Sequence, residues 1–333
     1  MNSATKQLVA QQHLKNKTIV ITGASSGVGR AAAVAFARCT PKLVLAARRP
    51  EALEEVAAEC RESGAAVLVV QTDVTSADAM QQLAKAAFGF GGRIDVWVNN
   101  AGVLAAGAFD QTPIDIHDQV IRTNLMGYVH GAHAVLPYFK QQKEGILINN
   151  ISVGGWMPVP YGAAYSASKF GLRGFSEALN GELSGWPHIH VCELYPAFLD
   201  TPGIQHAANY TGRHLKPAPP VYDPVRVADA MVNLAVHPRR KTIVGAAATA
   251  LRIGHFLFPG LIVSLTAKVM EAYFKNADPT TATGGNVLEP VDYGNSIHGG
   301  WNLATVSPAK KTAMAGLLVA GVAAGLFALA RRK

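Results

Sequence analysis

The 333-residue sequence is poor in charge. Asp, Glu, Lys and Arg make up 16% of it, against 49% hydrophobic residues, so the chain can bury a large core. Lys and Arg outnumber Asp and Glu by 30 to 22. That excess forms no basic stripe. Lys310, Lys311, Arg331, Arg332 and Lys333 flank one apolar segment and the other basic residues are scattered, which argues against a nucleic-acid partner. Cysteine is scarce too. Cys39, Cys60 and Cys192 are odd in number and form no CxxC. Neither a disulfide framework nor a metal site follows from them, and buried free thiols in a reducing compartment are expected. The N-terminus, MNSATKQLVAQQHLKNK, lacks the apolar core of a signal peptide, so the body is expected on the cytoplasmic side of any membrane.

What is present is an alternation. Short apolar runs at 18–22, 42–47, 65–71, 94–100, 145–152 and 188–195 read as strands. Helical patterns occupy 27–39, 51–63, 77–90, 115–142 and 164–184. After residue 223 the sequence DPVRVADAMVNLAV reads as a helix and KTIVG as a strand. Strands joined by helical crossovers are parallel, and these runs are apolar throughout, as a sheet covered on both faces requires. The fold class expected is α/β: a doubly wound parallel sheet over 16–277, preceded by an N-terminal tail at 1–15. Ligands should bind beyond the carboxyl ends of the strands.

Four stretches stand outside this rhythm. Residues 203–222 carry Pro217, Pro219 and Pro220 and read as a long loop, either a substrate lid or a plain surface insertion. Residues 253–265, IGHFLFPGLIVSL, are apolar but too short to span a bilayer. They either dock on a membrane surface or complete the core. Residues 278–311 are rich in Gly, Asn, Thr and Pro and read as a linker. It leads to TAMAGLLVAGVAAGLFALA at 312–330, uncharged and of bilayer-spanning length. A single-pass membrane anchor is expected there. An interfacial or buried helix is the alternative, and Gly321 with Gly325 offers a weak helix-pairing face.

At the end of the first strand stands TGASSGVGR, with glycines at 23, 27 and 29. The spacing is GxxxGxG rather than the more common GxGxxG. Glycine lets a phosphate approach the backbone, and the following helix offers free N–H groups to a pyrophosphate. The second strand ends in LVLAARRP. Ala46 and Ala47 stand where a carboxylate would take a ribose 2′-hydroxyl, and Arg48 and Arg49 follow. A missing acid beside a guanidinium suits a 2′-phosphate, hence NADP rather than NAD.

Tyr165 and Lys169, in YSASK, share one helix face. A nearby ammonium favours the phenolate and would lower the tyrosine pKa toward the working pH of an acid–base catalyst. Ser152 ends the preceding strand and can converge on the same substrate oxygen.

These motifs together resemble the short-chain dehydrogenase/reductase family across about residues 16–245. They are TGASSGVG, Asp73-Val74, the NNAG of 99–102, Asn124, Ser152, YSASK, and Pro196 with Thr201. The resemblance implies a Rossmann-like three-layer αβα fold and catalytic roles for four residues. Tyr165 would exchange the proton with substrate, Ser152 would polarise the substrate oxygen, and Lys169 would bond the nicotinamide ribose and lower the pKa of Tyr165. Asn124 would hold a water leading to Lys169. It further implies cofactor contacts from Thr22, Gly23, Ser25, Ser26, Gly27, Val28, Gly29, Arg48, Arg49, Asp73, Val74, Asn100, Ala101, Gly102, Tyr165, Lys169, Pro196 and Thr201, and homodimers or homotetramers. Ala197 and Val153 depart from the family pattern without removing a catalytic group. Val153, Trp156, Tyr161 and Phe198 are the weaker substrate candidates. Their apolar character suits a hydrophobic carbonyl or alcohol. A non-catalytic NADPH-binding regulator or scaffold at a membrane is the alternative from another class.

Overall fold

The computed structural model describes residues 3–301; the 312–330 segment lies outside them. Nine strands and ten α-helices are seen among the described residues. β1 (Thr18–Thr22), β2 (Lys42–Ala47), β3 (Ala66–Gln71), β4 (Val96–Asn99), β6 (Gly145–Asn150), β7 (Ile189–Pro196) and β9 (Lys241–Val244) form one sheet in the order β3-β2-β1-β4-β6-β7-β9. Every pairing in it is parallel. β1 pairs with β2 on one side and β4 on the other, so the strand order reverses beside β1. Two-residue strands β5 (Ala105–Ala106) and β8 (Ala208–Asn209) pair separately.

Alternate strand residues bury on opposite faces, which is why the strands read as unbroken apolar runs. Ile19, Ile21, Leu43 and Leu45 pack with α2 (Gly27–Ala37), α3 (Pro50–Glu62) and α8 (Val225–Val236). Val20, Val44 and Trp97 pack on the other face with α4 (Ala77–Gly91), α6 (Gly127–Gln142) and α7 (Ala163–Glu182). Cys39, Cys60 and Cys192 are free and buried in the first of these layers. Burial pushes the Cys60 and Cys192 thiols up to about 12, so neither is a nucleophile near neutrality.

Several stretches differ from their sequence reading. The N-terminal residues form a helix, α1 (Ser3–Leu14), whose Ala10 and Leu14 join the core against α8, so this part is a docked helix and not a tail. The helix expected over 115–142 is three pieces: α5 (Ile114–Ile121), a π-helical turn over Arg122–Met126, and α6. The stretch 253–265 falls in a helical pair, α9 (Ala246–Leu257) and α10 (Pro259–Asn276). These helices do little to complete the core. Ile253, Phe256, Leu257, Leu261, Leu265 and Val269 are exposed, Phe256 by 82%. No described helix is long and apolar enough to cross a membrane. Residues 278–301 carry no helix or strand, yet they are not free chain; they run back across the ends of β1 and β2.

Candidate active site

A cleft of about 850 Å³ opens where the strands end. Its walls are the ends of six neighbouring strands and the residues that follow them: Thr72–Val74 at β3, Ala47–Arg49 at β2, Gly23 and Ser25–Gly29 at β1, Asn100–Val103 at β4, Asn150–Gly154 at β6 and Pro196–Leu199 at β7. The reversal beside β1 leaves this crevice open because the crossovers on its two sides run in opposite directions.

The first wall shows why glycine is required there. A Cβ on Gly29 would sit 2.0 Å from the Gly23 carbonyl oxygen, and one on Gly23, at φ +65°, would sit 2.7 Å from the Ala101 Cα. The turn and the start of α2 are pressed together, so only glycine fits. Ser26 gives α2 no side-chain cap. The first N–H groups of a helix lack intrahelical partners, so those of Val28 and Gly29 are left for the cleft, which both residues line. Thr22 is buried and does not line the cleft; its hydroxyl bonds the Val98 carbonyl and accepts from the N–H groups of Asn100 and Ala101. It thereby fixes the wall after β4. Asn100 lines the cleft while its amide ties down Thr22 and Gly23.

Ser25, Ser26, Gly27, Arg48, Arg49, Asp73, Val74, Ala101, Gly102, Pro196 and Thr201 all line the cleft. Asp73 also accepts from the Thr75 N–H and hydroxyl, which holds the end of β3 in a turn. Burial works against the Arg48 charge, while Asp73 and Glu289 support it. An uncapped helix N-terminus, close glycines and two arginines form a cradle that fits a dinucleotide carrying a 2′-phosphate.

The reacting end gathers Asn124, Ser152, Tyr165 and Lys169 in the same cleft. Ser152 is held at φ +131° and ψ +157°, a backbone region that side chains rarely adopt, at a cost on the order of 1–3 kcal/mol. Its hydroxyl accepts from the Gly154 N–H at 3.0 Å and lies in the same cleft as the Tyr165 phenol. Lys169 is buried; its Nζ lies 5.7 Å from the Tyr165 ring centre, 5.3 Å from that of Tyr128, and 3.5 Å from the Asn150 carbonyl it donates to. Asn124 sits in the π-helical turn, fully buried. Its amide clasps Val103 from both ends, N–H to carbonyl and carbonyl to N–H, each at 2.8 Å. The side chain thereby positions the wall after β4, and π turns recur at functional sites for such reasons.

The electrostatics reverse one expectation. Burial pushes the Tyr165 phenol up, with the Ser152 hydroxyl pulling the other way, so this tyrosine is not lowered toward neutrality. Burial also draws Lys169 down to about 7, so only part of its charge is present near neutrality. A phenol that stays protonated is a proton donor. The arrangement favours delivering a proton to a substrate oxygen.

Val153, Tyr161 and Phe198 line the cleft, but Trp156 does not. Its ring carries the Arg173 guanidinium at 3.8 Å and the Arg252 guanidinium at 4.3 Å, and packs on Tyr195. The short helical turn over Val153–Gly155 carries Trp156 away from the cleft. The 203–222 loop supplies Gly203, Ile204, His206 and 215–219 to the lining. Sequence reasoning missed two walls. One face of α10 contributes Thr266, Met270, Tyr273 and Phe274, with Phe274 edge-on to Tyr161 at 5.0 Å. The segment after residue 285 contributes Asn286, Pro290, Val291, Tyr293 and Asn295.

A family model described as short chain dehydrogenase matches residues 17–210, which include every one of these motifs. The chain belongs to the short-chain dehydrogenase family. It is therefore an oxidoreductase by kinship. The uncharacterized oxidoreductase YxnA of Bacillus subtilis is 34% identical over 274 residues, covering 81% of this chain and 76% of that protein. An alcohol dehydrogenase from the archaeon Thermococcus sibiricus, solved with 5-hydroxy-NADP, superposes with a TM-score of 0.60 at 28% identity. A metagenomic short-chain oxidoreductase solved with NADP gives 0.60 at 29%. These structures are covered over 95% and 98% of their own length but cover only 68% and 70% of this chain. Much of this chain thus lies outside the part it shares with them.

Proposed function

We propose that the chain is an NADP(H)-dependent oxidoreductase that interconverts a carbonyl and an alcohol on a hydrophobic substrate. The observation that carries this reading is one cleft lined by Ser152, Tyr165 and Lys169 after β6 and by Arg48 with Arg49 after β2. The two solved relatives hold NADP or a derivative of it, which supports the cofactor. These residues would hold a nicotinamide dinucleotide in the cleft, and when bound it would supply or accept the hydride. The protein does the rest. Ser152 donates to the substrate oxygen and orients it. Tyr165 gives up its phenolic proton to that oxygen in reduction and takes it back in oxidation. Lys169 lies behind Tyr165, close enough to steady the phenolate as it forms and to recover its own charge by taking up a proton. The strained Ser152 and the Asn124 clasp keep these groups from drifting. The apolar residues Val153, Met157, Phe198, Met270 and Phe274 favour an apolar substrate body.

The regulator reading is not favoured, because the proton donor and its Ser152 partner are both in place. We further propose that the body is cytoplasmic and held at a membrane by 312–330, with the exposed apolar side of α9 and α10 turned toward the lipid. Support comes from the uncharged run flanked by basic residues and from five exposed apolar side chains outside the cleft, Ile253, Phe256, Leu257, Leu261 and Leu265.

The cofactor assignment is tested by titrating the full chain with NADPH and NADH, alongside Arg48→Ala. NADPH is expected to bind at least tenfold tighter than NADH, and Arg48→Ala should remove most of that gap, as the loss of a charge-assisted contact implies. Equal binding of the two by the unaltered protein would refute the NADP preference.

A further inference from the structure

The segment 284–301 lies beyond the residues matched by the family model and carries no regular structure. It is nevertheless pinned at both ends. At its start Val287 is fully buried among Val103, Ile116, Val120 and Ala208, and the Asn286 N–H donates to the His206 carbonyl at 2.8 Å. At its finish the Asp200 carboxylate accepts from the Gly299 and Trp301 N–H groups, and the Trp301 indole donates to the Thr201 carbonyl. Between these anchors it crosses the adenosine half of the cleft.

The crossing engages the residues that a dinucleotide needs. Arg48 donates to the Asn286 carbonyl at 2.6 Å and to the Leu288 carbonyl at 3.2 Å. Arg49 is bonded to the Val291 carbonyl and, at 3.2 Å, to the Asn295 side chain. Gly27 at the head of α2 donates to the Ser296 carbonyl at 2.9 Å. A guanidinium has five N–H donors, and the two that Arg48 spends here leave three for an anion. Asn286 adds an independent sign. Its Oδ1 is buried without a hydrogen-bond partner, although the residue lines the cleft. A buried acceptor left in that state is costly, and a ribose hydroxyl or an adenine amino group is the donor such a cleft would bring.

We propose that residues 286–296 are a wall of the cofactor site. Asn286 Oδ1 accepts from the adenosine end of the dinucleotide, and the strap's carbonyl oxygens hold Arg48 and Arg49 in place for the 2′-phosphate. The proposal rests on the NADP(H) reading and adds a specificity-determining segment to it. The strap's path depends on Gly294, at φ +70°, where a Cβ would sit 2.2 Å from His206 Nε2. It depends equally on the contact between His206 and the Tyr293 carbonyl.

Hydrogen exchange of the unaltered full chain gives the first test. Amides of 284–301 should exchange more slowly with saturating NADPH than with saturating NADH. The second test is binding. Gly294→Ala, which lifts the strap, should weaken NADPH about tenfold and shrink the preference over NADH. Asn286→Ala, which removes only the side-chain acceptor and keeps the carbonyl that holds Arg48, should weaken both cofactors by a similar factor. It also serves if Gly294→Ala does not fold. Unchanged exchange in the strap while NADPH is bound would overturn the proposal. So would NADPH affinities equal to or tighter than the unaltered protein's in both variants, the tighter result marking the strap as a competitor. If the unaltered chain binds neither cofactor, the NADP(H) reading itself falls.

Discussion

Lys169 shows how far a single residue's chemistry depends on its surroundings. The YSASK spacing put it on one helix face with Tyr165, and the structure keeps the pair together. The spacing carries no information about burial, however, and burial governs both groups here. It draws Lys169 from 10.5 to about 7 and pushes Tyr165 up. The sign for stability follows. Between about pH 7 and 10.5 the unfolded chain holds a proton on this lysine that the folded chain does not, so folding gains as pH rises through that window. Lys169→Met removes the buried amine. Its stability relative to the unaltered protein should be most favourable below about pH 7 and lose ground toward pH 10, measured by urea unfolding across pH, while activity falls by a factor on the order of 10² or more. A constant difference across that range would mean that the amine is not titrating as described. For Tyr165 the raised value keeps the phenol protonated, so a decline in carbonyl reduction between about pH 6 and 8 should centre near 7, where Lys169 loses its charge, and not continue as a low-pKa tyrosine would require. Trp156 marks the opposite limit of reading at this scale: closeness in sequence to Ser152 could not show which way a short helical turn would aim its side chain.

Among the elements, the sheet and its crossovers were legible because a parallel sheet covered on both faces turns each strand into a continuous apolar run. TIVIT at 18–22 and KLVLAA at 42–47 coincide with β1 and β2. Elements held by fewer apolar contacts escaped notice. α1 is polar over most of its length and is fixed by Ala10 and Leu14. The π-helical turn at 122–126 interrupts what hydropathy reads as one helix. The strap looked like a linker because its contacts are backbone carbonyls to arginines, which composition cannot reveal. The glycine turn was legible for a different reason: its spacing is a packing requirement. Gly29→Ala should therefore be among the most damaging single changes on α2. A Cβ 2.0 Å from the Gly23 carbonyl forces the helix off the turn, and the thermal midpoint should drop by several degrees, with NADPH binding lost or weakened more than a hundredfold. An alanine variant with unchanged midpoint and affinity would show that the turn is looser than it looks.

At the scale of the whole molecule, α9 and α10 face two ways. One face of α10, Val269 included, lines the cleft, and the outward side carries Leu261 and Leu265 next to Ile253, Phe256 and Leu257 of α9. If that side rests on lipid while 312–330 spans it, an apolar substrate could pass between bilayer and cleft without crossing water. Placing two charges in the run, as Leu318→Arg with Val322→Arg, should shift the protein from the membrane pellet to the soluble fraction or to loose, salt-sensitive association. A variant that stays in an alkaline-carbonate-resistant pellet would contradict a spanning anchor.

The central claim is that Tyr165 protonates a carbonyl oxygen beside bound NADPH. It is tested most directly by following NADPH oxidation in single turnovers over a panel of hydrophobic ketones and aldehydes, with Tyr165→Phe alongside. The expected result is turnover by the unaltered protein on part of the panel. Tyr165→Phe should bind NADPH with similar affinity but react slower by a factor on the order of 10²–10⁴. Equal turnover by the two proteins would contradict the account, as would tight NADPH binding without turnover on any member of the panel.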